Sequence, residues 1–462
     1  MKRWISEDFK HHDRIDSDVF YKKLTRLALP IALQSFISAS LNLVDNLMVG
    51  SLGETELAAV GIGIQLFFLF WMVIFGFTSG CNTFTAQFWG TKNMANIRKV
   101  IGFSLTVTFL VGVVFFLFAT FFARQFVSLF TDDPAALKLA VDYIHIGSPT
   151  FLMLGVSVSF QTALRATQQP RIPLYISMVA FTTNTVLNYI FIFGKLGLPA
   201  MGVQGAALAT IIARAIEMTL VLWVVFGRKN VIAGDTKEFF NWNKILATRI
   251  FKNALPTTAN EVSWGLGMTV CNIAYAQAGI TAYAAVRASL TIFDLFILFA
   301  FSLGDAALII LGEHLGRGER DYAIGASKKL VKVVLIIGVV SGTLLIFIGK
   351  PLLGLFNFSD NGFEFAYSIL LVYGLTMWVD LYSGVHIVGI LRGGGDTRFA
   401  MFTELGTIWL IAVPLAFAGI LLWHMPIYLV ILMVRAETVI KSVILTFRWT
   451  TCKWANTVIK EL

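Results

Sequence analysis

The chain has 462 residues, 57% of them hydrophobic and only 14% charged, with a net charge of +9. Soluble domains carry about 25% charged residues, so this composition excludes a water-solvated globular protein and makes lipid the main solvent. A positive balance can point to nucleic acid, but the positions of the basic residues give it a different origin.

A bilayer core about 30 Å thick takes roughly 20 mostly apolar residues per helical span. Twelve such stretches follow one another, at 24–49, 58–88, 98–123, 138–163, 173–194, 203–226, 251–277, 282–311, 328–349, 365–390, 400–421 and 427–449. Their continuous apolar character excludes the short alternating strands of a β-barrel. Ahead of them, residues 1–26 are polar and basic (Lys2, Arg3, Lys10, Arg14, Lys22, Lys23, Arg26), without the apolar core and cleavage site of a signal peptide, so the first span is expected to be retained.

Alternating the loops between the two sides places only Arg124, Lys138, Lys195 and Lys350 in outer loops, while most of the 36 Lys and Arg fall inside. That asymmetry predicts both termini in the cytoplasm. Cys81, Cys271 and Cys452 lie far apart with no metal-ligand spacing, so neither a disulfide framework nor a metal site is expected.

The sequence repeats itself. Ala28-Leu29-Pro30 recurs as Ala254-Leu255-Pro256, and the same offset lays Gly53 to Val60 on Gly279 to Val286 and Gly90 on Gly316. One position further, Leu164-Arg165 falls on Leu391-Arg392 and Arg171 on Arg398. Six spans per half is an even number, so both halves enter the membrane in the same direction as parallel repeats, with a cleft between two bundles. The expected fold is an all-α membrane protein, twelve transmembrane helices in two six-helix bundles related by a parallel internal repeat. The expected divisions are a cytoplasmic tail at 1–23, bundles at 24–227 and 251–450, a cytoplasmic linker at 228–250, and a cytoplasmic tail at 451–462.

Several motifs, in order along nearly the whole chain, resemble those of multidrug and toxic compound extrusion (MATE) transporters. They are Ala28-Leu29-Pro30, Val44-Asp45-Asn46-Leu47-Met48-Val49-Gly50, Gln87 with Gly90, Leu164-Arg165-Ala166, Asn184 with Asn188-Tyr189, Met201-Gly202 with Gly205-Ala206-Ala207, and Leu391-Arg392-Gly393-Gly394-Gly395-Asp396-Thr397-Arg398. The resemblance implies a secondary antiporter of the inner (plasma) membrane. It would export organic cations, drugs or toxic metabolites, in exchange for H⁺ or Na⁺, by alternating access of the central cleft.

A carboxylate deep in a span costs about 2.5–3.5 kcal/mol even on the lenient insertion scale, and so is a functional hypothesis by default. Asp45 lies some four turns into the helix that Pro30 marks, close to the outer end of span one, where it either works within the membrane or sits at the outer surface before the Gly50 to Gly53 turn. The resemblance gives it the coupling role, as an acid that takes up and releases a proton. Asn184 and Asn188, at i and i+4, share one face of span five and can bond a carboxylate or a cation, or join two helices; the resemblance places them beside Asp45. One branch of the family has Asp where this chain has Asn188, so the first bundle has one fewer carboxylate here and the resemblance leaves the proton work to Asp45 alone. Gln34 and Asn42 are further polar candidates on span one. In the second half Cys271 takes the repeat position of Asp45, and the acids are Glu261, Asp294, Asp380 and Glu404. The resemblance puts the first three on the cleft, with Trp264 in its apolar wall, where they suit a cationic substrate. Each of them alternatively closes a local ion pair, for example with Arg287 or Arg435. Arg214 with Glu217 and Arg435 with Glu437, in matching places of the last helix of each half, read as structural ion pairs.

The expected partners are a small organic cation and membrane lipid, with no nucleic acid, the protein acting as a monomer with no cofactor beyond the coupling ion. A competing reading is a lipid-linked oligosaccharide flippase of related plan, although its cleft would be lined by Arg and Lys rather than acids. A membrane enzyme is disfavoured because no HxxxxD, GxSxG, HExxH or phosphate-binding glycine loop is present, and no catalytic residue is assigned.

Overall fold

The computed structural model describes residues 16–354, 356 and 358–460. Lys2, Arg3, Lys10 and Arg14 of the basic tail, and residues 461–462 of the C-terminal tail, lie outside the described residues. Among the described residues every regular element is a helix.

The first half holds α1 (Ser17–Gly50), α2 (Glu54–Gly90), α3 (Met94–Phe121), the short α4 (Ala123–Val127), α5 (Pro134–Gly147), α6 (Thr150–Ala166), α7 (Arg171–Phe193) and α8 (Gly202–Leu222). After α9 (Thr236–Phe240) the second half runs through α10 (Lys244–Ala276), α11 (Ile280–Gly316), α12 (Arg320–Leu353), α13 (Asp360–Gly384), α14 (Thr397–Thr407), α15 (Val413–Phe417), α16 (Ile427–Val434) and α17 (Ala436–Thr450). Local signals set many of the ends. Asn93 caps α3 by accepting from Asn96 N, and Asp133 caps α5 ahead of Pro134. Gly194 stops α7 in the left-handed conformation at φ 65°. π-helical turns extend α8 (Trp223–Gly227) and α13 (Val385–Leu391) and interrupt the α14 to α15 span.

Among the described residues nine helices are long and apolar enough to cross a membrane alone, and α5 with α6 makes a tenth. The helix α10 and the α16–α17 pair complete the twelve spans. Two of the expected spans are not continuous. The fourth bends by 49° between α5 and α6, where Gly147-Ser148-Pro149 intervenes and proline supplies no N–H to the ladder. The twelfth breaks at Arg435, between α16 and α17.

The chain divides into two compact units. One is Leu33–Thr85 with Lys92–Phe251; the other is residues 16–32, Ala86–Thr91 and 252–460. In the first, α3 packs on α6 and α9, and α8 on α5, α6 and α7. Its helices approach through small residues: a Cβ on Gly102 would strike the Phe239 carbonyl, and one on Gly205 the backbone of Phe191. In the second, α11, α12 and α13 pack on one another and α17 on α13 and α14, with Gly342 against the Gly374 carbonyl.

The second unit also contains a reciprocal contact that follows the sequence repeat. A Cβ on Gly90 would strike the carbonyl oxygen of Glu313, and one on Gly316 the carbonyl oxygen of Gln87. Gln87 and Gly90 are the repeat counterparts of Glu313 and Gly316. The ends of α2 and α11 therefore cross as the two halves of a local two-fold. Gly90→Val is expected to destabilise the protein by about 1–3 kcal/mol or more, because a backbone carbonyl cannot move aside as a side chain can. Thermal unfolding in detergent measures this, with Gly61→Ala, where a Cβ meets nothing within 4 Å, as the silent control.

Residues 452–458 close the same corner. The buried Gln87 amide donates to the carbonyls of Gly393 (3.2 Å) and Asn456 (3.1 Å) and accepts from Val458 N (2.8 Å). Thr457 donates to the Leu315 carbonyl at 2.9 Å, and Arg320 to that of Cys452 at 3.1 Å. Trp454 is fully buried against Gly394, whose missing side chain leaves room for the Trp454 carbonyl.

Candidate functional site

The first unit holds one polar network inside its membrane helices. On α7, Asn188 Nδ2 donates to Asp45 Oδ1 of α1 at 2.5 Å and to Asn184 Oδ1 at 3.0 Å, as the i, i+4 spacing requires. Asn184 Nδ2 in turn donates to Thr210 Oγ1 of α8 at 3.4 Å. Both asparagines are buried, and Asn188 Oδ1 has no hydrogen-bond partner. The positive charge of Arg214 on α8 bears on Asp45 and on the Tyr143 hydroxyl. Arg214 itself pairs with Glu217 at 2.6 Å, one turn along α8. Glu217 Oε1 accepts from Gln161 Nε2 of α6 at 2.9 Å, while Gln161 Oε1 accepts from Gln34 Nε2, which also donates to Ser177 Oγ at 3.1 Å. Helices α1, α6, α7 and α8 thus supply two hydrogen-bonded chains, one ending at Asp45 and one at Glu217, with Arg214 between the two carboxylates and Tyr143 of α5 beside it.

The structure accordingly brings Asp45, Asn184, Asn188 and Gln34 of the sequence candidates into this network, and forms the expected Arg214–Glu217 pair. Asn42 is exposed on α1 and takes no part in it. Gln161, Ser177, Thr210 and Tyr143 complete the site without having been singled out. None carries a charge, and only their places beside Gln34, Glu217, Asn184 or Arg214 mark them.

Four membrane acids of the second unit, Glu261, Asp380, Glu404 and Glu437, are ion-paired. Glu261 on α10 accepts from Arg392, whose side chain is 1% exposed, and Asp380 on α13 accepts from Arg435 at 2.8 Å. Arg435 also lies over the rings of Tyr373 (4.5 Å) and Phe293 (5.4 Å), as cation–π geometry favours. Lys441 on α17 stands 2.9 Å from both Glu404 on α14 and Glu437, and Glu437 also accepts from Thr407 and Thr438. The expected Arg435–Glu437 pair does not form. Residues at i and i+2 point to opposite sides of a helix, so Arg435 turns to Asp380 and Glu437 to Lys441. Asp294 is exposed on α11, and Trp264 is half-buried on α10. Cys271 and the other two cysteines are free, buried thiols.

The repeat extends to these side chains. With the offset that matches Arg165 to Arg392, Ser177, Thr210 and Arg214 fall on Glu404, Glu437 and Lys441. Each repeat therefore has a cation on its last membrane helix, paired with an acid of that same helix. In the first unit the uncharged Asn188–Asn184–Thr210 chain ends at Asp45 near Arg214; in the second, Glu404 and Glu437 flank the lysine.

Known proteins share this plan. The MatE family model matches residues 30–190 and 256–418, both repeats in turn. The probable multidrug resistance protein NorM of Thermotoga maritima is 24% identical over 400 residues, which cover 86% of this chain and 85% of that protein. The multidrug resistance protein MdtK of Edwardsiella ictaluri is 26% identical over 412 residues, covering 85% and 86%. A crystal structure of MATE in complex with MaL6 superposes with a TM-score of 0.85 at 18% identity, over 97% of this chain and 99% of that one. A MOP superfamily transporter from Pyrococcus furiosus does so at 0.86, with the same identity and coverage. With both repeats matched and the twelve helices arranged as in the solved transporters, this chain belongs to the MatE family of multi-pass membrane transporters.

Proposed function

We propose that the protein is a secondary active antiporter of the inner (plasma) membrane. It exports organic cations, drugs or toxic metabolites, in exchange for H⁺ or Na⁺, by alternating access of its binding site. The observation that carries this reading is Asp45, a carboxylate within a membrane helix, bonded by Asn188 and under the charge of Arg214. When ionised, Asp45 accepts the Asn188 N–H and balances Arg214. Protonation removes that balance, leaving Arg214 to Glu217 and the Asn188 amide to a weaker acceptor. The two states favour different placements of α1 against α7, and Pro30 gives α1 a point at which to bend. A sodium ion has an alternative use for the same groups, since the unpartnered Asn188 carbonyl beside a carboxylate is the oxygen chemistry that hard cations take.

Relatives called multidrug resistance proteins support a broad small-molecule substrate range. In the second unit Glu261 and Asp380 already hold arginines, so the exposed Asp294 is the acid open to a cationic substrate. The distribution of Lys and Arg supports both termini in the cytoplasm. Since each chain carries both repeats, a monomer suffices for the cycle.

The purified protein in vesicles loaded with a fluorescent organic cation tests this reading when pH and sodium gradients are imposed separately. Export should follow one of the two gradients and stop when an ionophore collapses it. Indifference to both would sink the antiport assignment.

A further inference from the structure

The first unit carries an apolar groove of about 460 Å³ between α3, α6, the end of α8 and the short helix α9. That volume is in the range of ligand sites, about 300–1,000 Å³. Phe160 and Phe239 form its buried floor, and these two rings and that of Phe226 pack edge to face with one another at 5.8 to 6.1 Å. Phe109 and Phe240 on its rim are exposed. No side chain fills this space, and an empty cleft of that size would forfeit the dispersion contacts of every group lining it. On a membrane helix bundle the material at hand is hydrocarbon.

Basic residues adjoin the lining in sequence and through the Arg98–Glu238 contact, and they select among lipids. Arg228, which follows Phe226 by two residues, is held over the Trp223 ring at 4.4 Å, and Lys237 follows the lining residue Thr236. Arg98 at the start of α3 pairs with Glu238 of α9 at 3.3 Å, yet its buried Nε has no hydrogen-bond partner. Glu238 is itself used to cap α9, bonding Asp235 N at 2.9 Å. Basic pockets between membrane helices bind the headgroups of anionic lipids.

We propose that this groove binds one acyl chain of an anionic phospholipid, whose phosphate rests on Arg98, Arg228 and Lys237. The lipid would then seat α9, in the segment that joins the two repeats. The site is independent of the transport reading, because none of its residues belongs to the network around Asp45.

The test uses the full-length protein in detergent, with phosphatidylglycerol and phosphatidylethanolamine of identical acyl chains, followed by thermal unfolding and native mass spectrometry. Phosphatidylglycerol should raise the unfolding temperature more and remain bound as a single adduct. Arg98→Gln, Arg228→Gln and Lys237→Gln together should lower its affinity about 10-fold or more, since each basic group near a lipid surface contributes about 1 kcal/mol, and should leave phosphatidylethanolamine unaffected. Thr106→Phe, which fills the groove from α3, should abolish the adduct while the protein stays folded. Equal binding of the two lipids, or an adduct that survives Thr106→Phe, would overturn the proposal. So would displacement of the lipid by tetraphenylphosphonium, which would make the groove an entrance for exported cations.

Discussion

Asp45→Asn is expected to reduce gradient-driven export to background while the protein remains folded and inserted. Asn has nearly the shape of Asp, and its side-chain oxygen can still accept the Asn188 N–H that Asp45 accepts now. Only the titratable proton and the charge facing Arg214 are lost. Removing a charge from the membrane interior saves up to about 2.5–3.5 kcal/mol on the insertion scale, so the unfolding temperature should be unchanged or higher. Efflux from energised vesicles, read beside thermal unfolding of the same preparation, separates the two effects. Ion-driven efflux at the parent rate would remove Asp45 from the coupling role. Export lost together with stability would mean that the carboxylate holds α1 to α7 and does no more.

Lys441→Met should damage folding more than any single acid substitution nearby. The lysine lies 2.9 Å from each of two buried carboxylates, and its removal leaves Glu404 and Glu437 facing each other without a cation. Breaking a buried ion pair from one side costs about 3–5 kcal/mol, whereas replacing all its members by apolar or neutral groups is often neutral. Glu404→Gln, by contrast, leaves a complete Lys441–Glu437 pair that Thr407 and Thr438 still support, and should have a small effect. Lys441→Met combined with Glu404→Gln and Glu437→Gln should recover most of the loss. Unfolding measurements on the three variants decide the matter: a benign Lys441→Met, or no recovery in the combined variant, would show that the cluster is not held by its charges.

The span pattern and the repeat were legible in the sequence because both depend on short-range regularities: runs of apolar residues and glycines at a constant offset. The match of Gly90 with Gly316 even anticipated a contact, since the two lie at one crossing. Asn184 and Asn188 could be placed on one face because helix geometry alone decides it. Arg435 was one of two cations expected as a possible partner and does close on Asp380, but the partners of Glu261 and Glu404 could not be read this way. Arg392 lies 131 residues from Glu261, and a carboxylate among apolar residues says only that a partner is needed. Proximity in sequence misled at Arg435 and Glu437, where the helix turn separates near neighbours. The bend at Pro149 was equally hidden, because hydropathy averages over it.

The packing of residues 452–458 against Gln87 has a consequence for biosynthesis. Gln87 is translated with α2, but its hydrogen bonds to Asn456 and Val458, 369 and 371 positions later, wait until those residues have left the ribosome. Until then a buried amide at the end of α2 lacks two of its three partners, and the seat beside Gly394 lacks Trp454. A message broken after Thr450 would therefore yield a polypeptide with all twelve spans inserted but one corner open, distinguishable to membrane proteases from the finished product. Cellular abundance should therefore fall for a variant that lacks Trp454, because the seat beside Gly394 stays open.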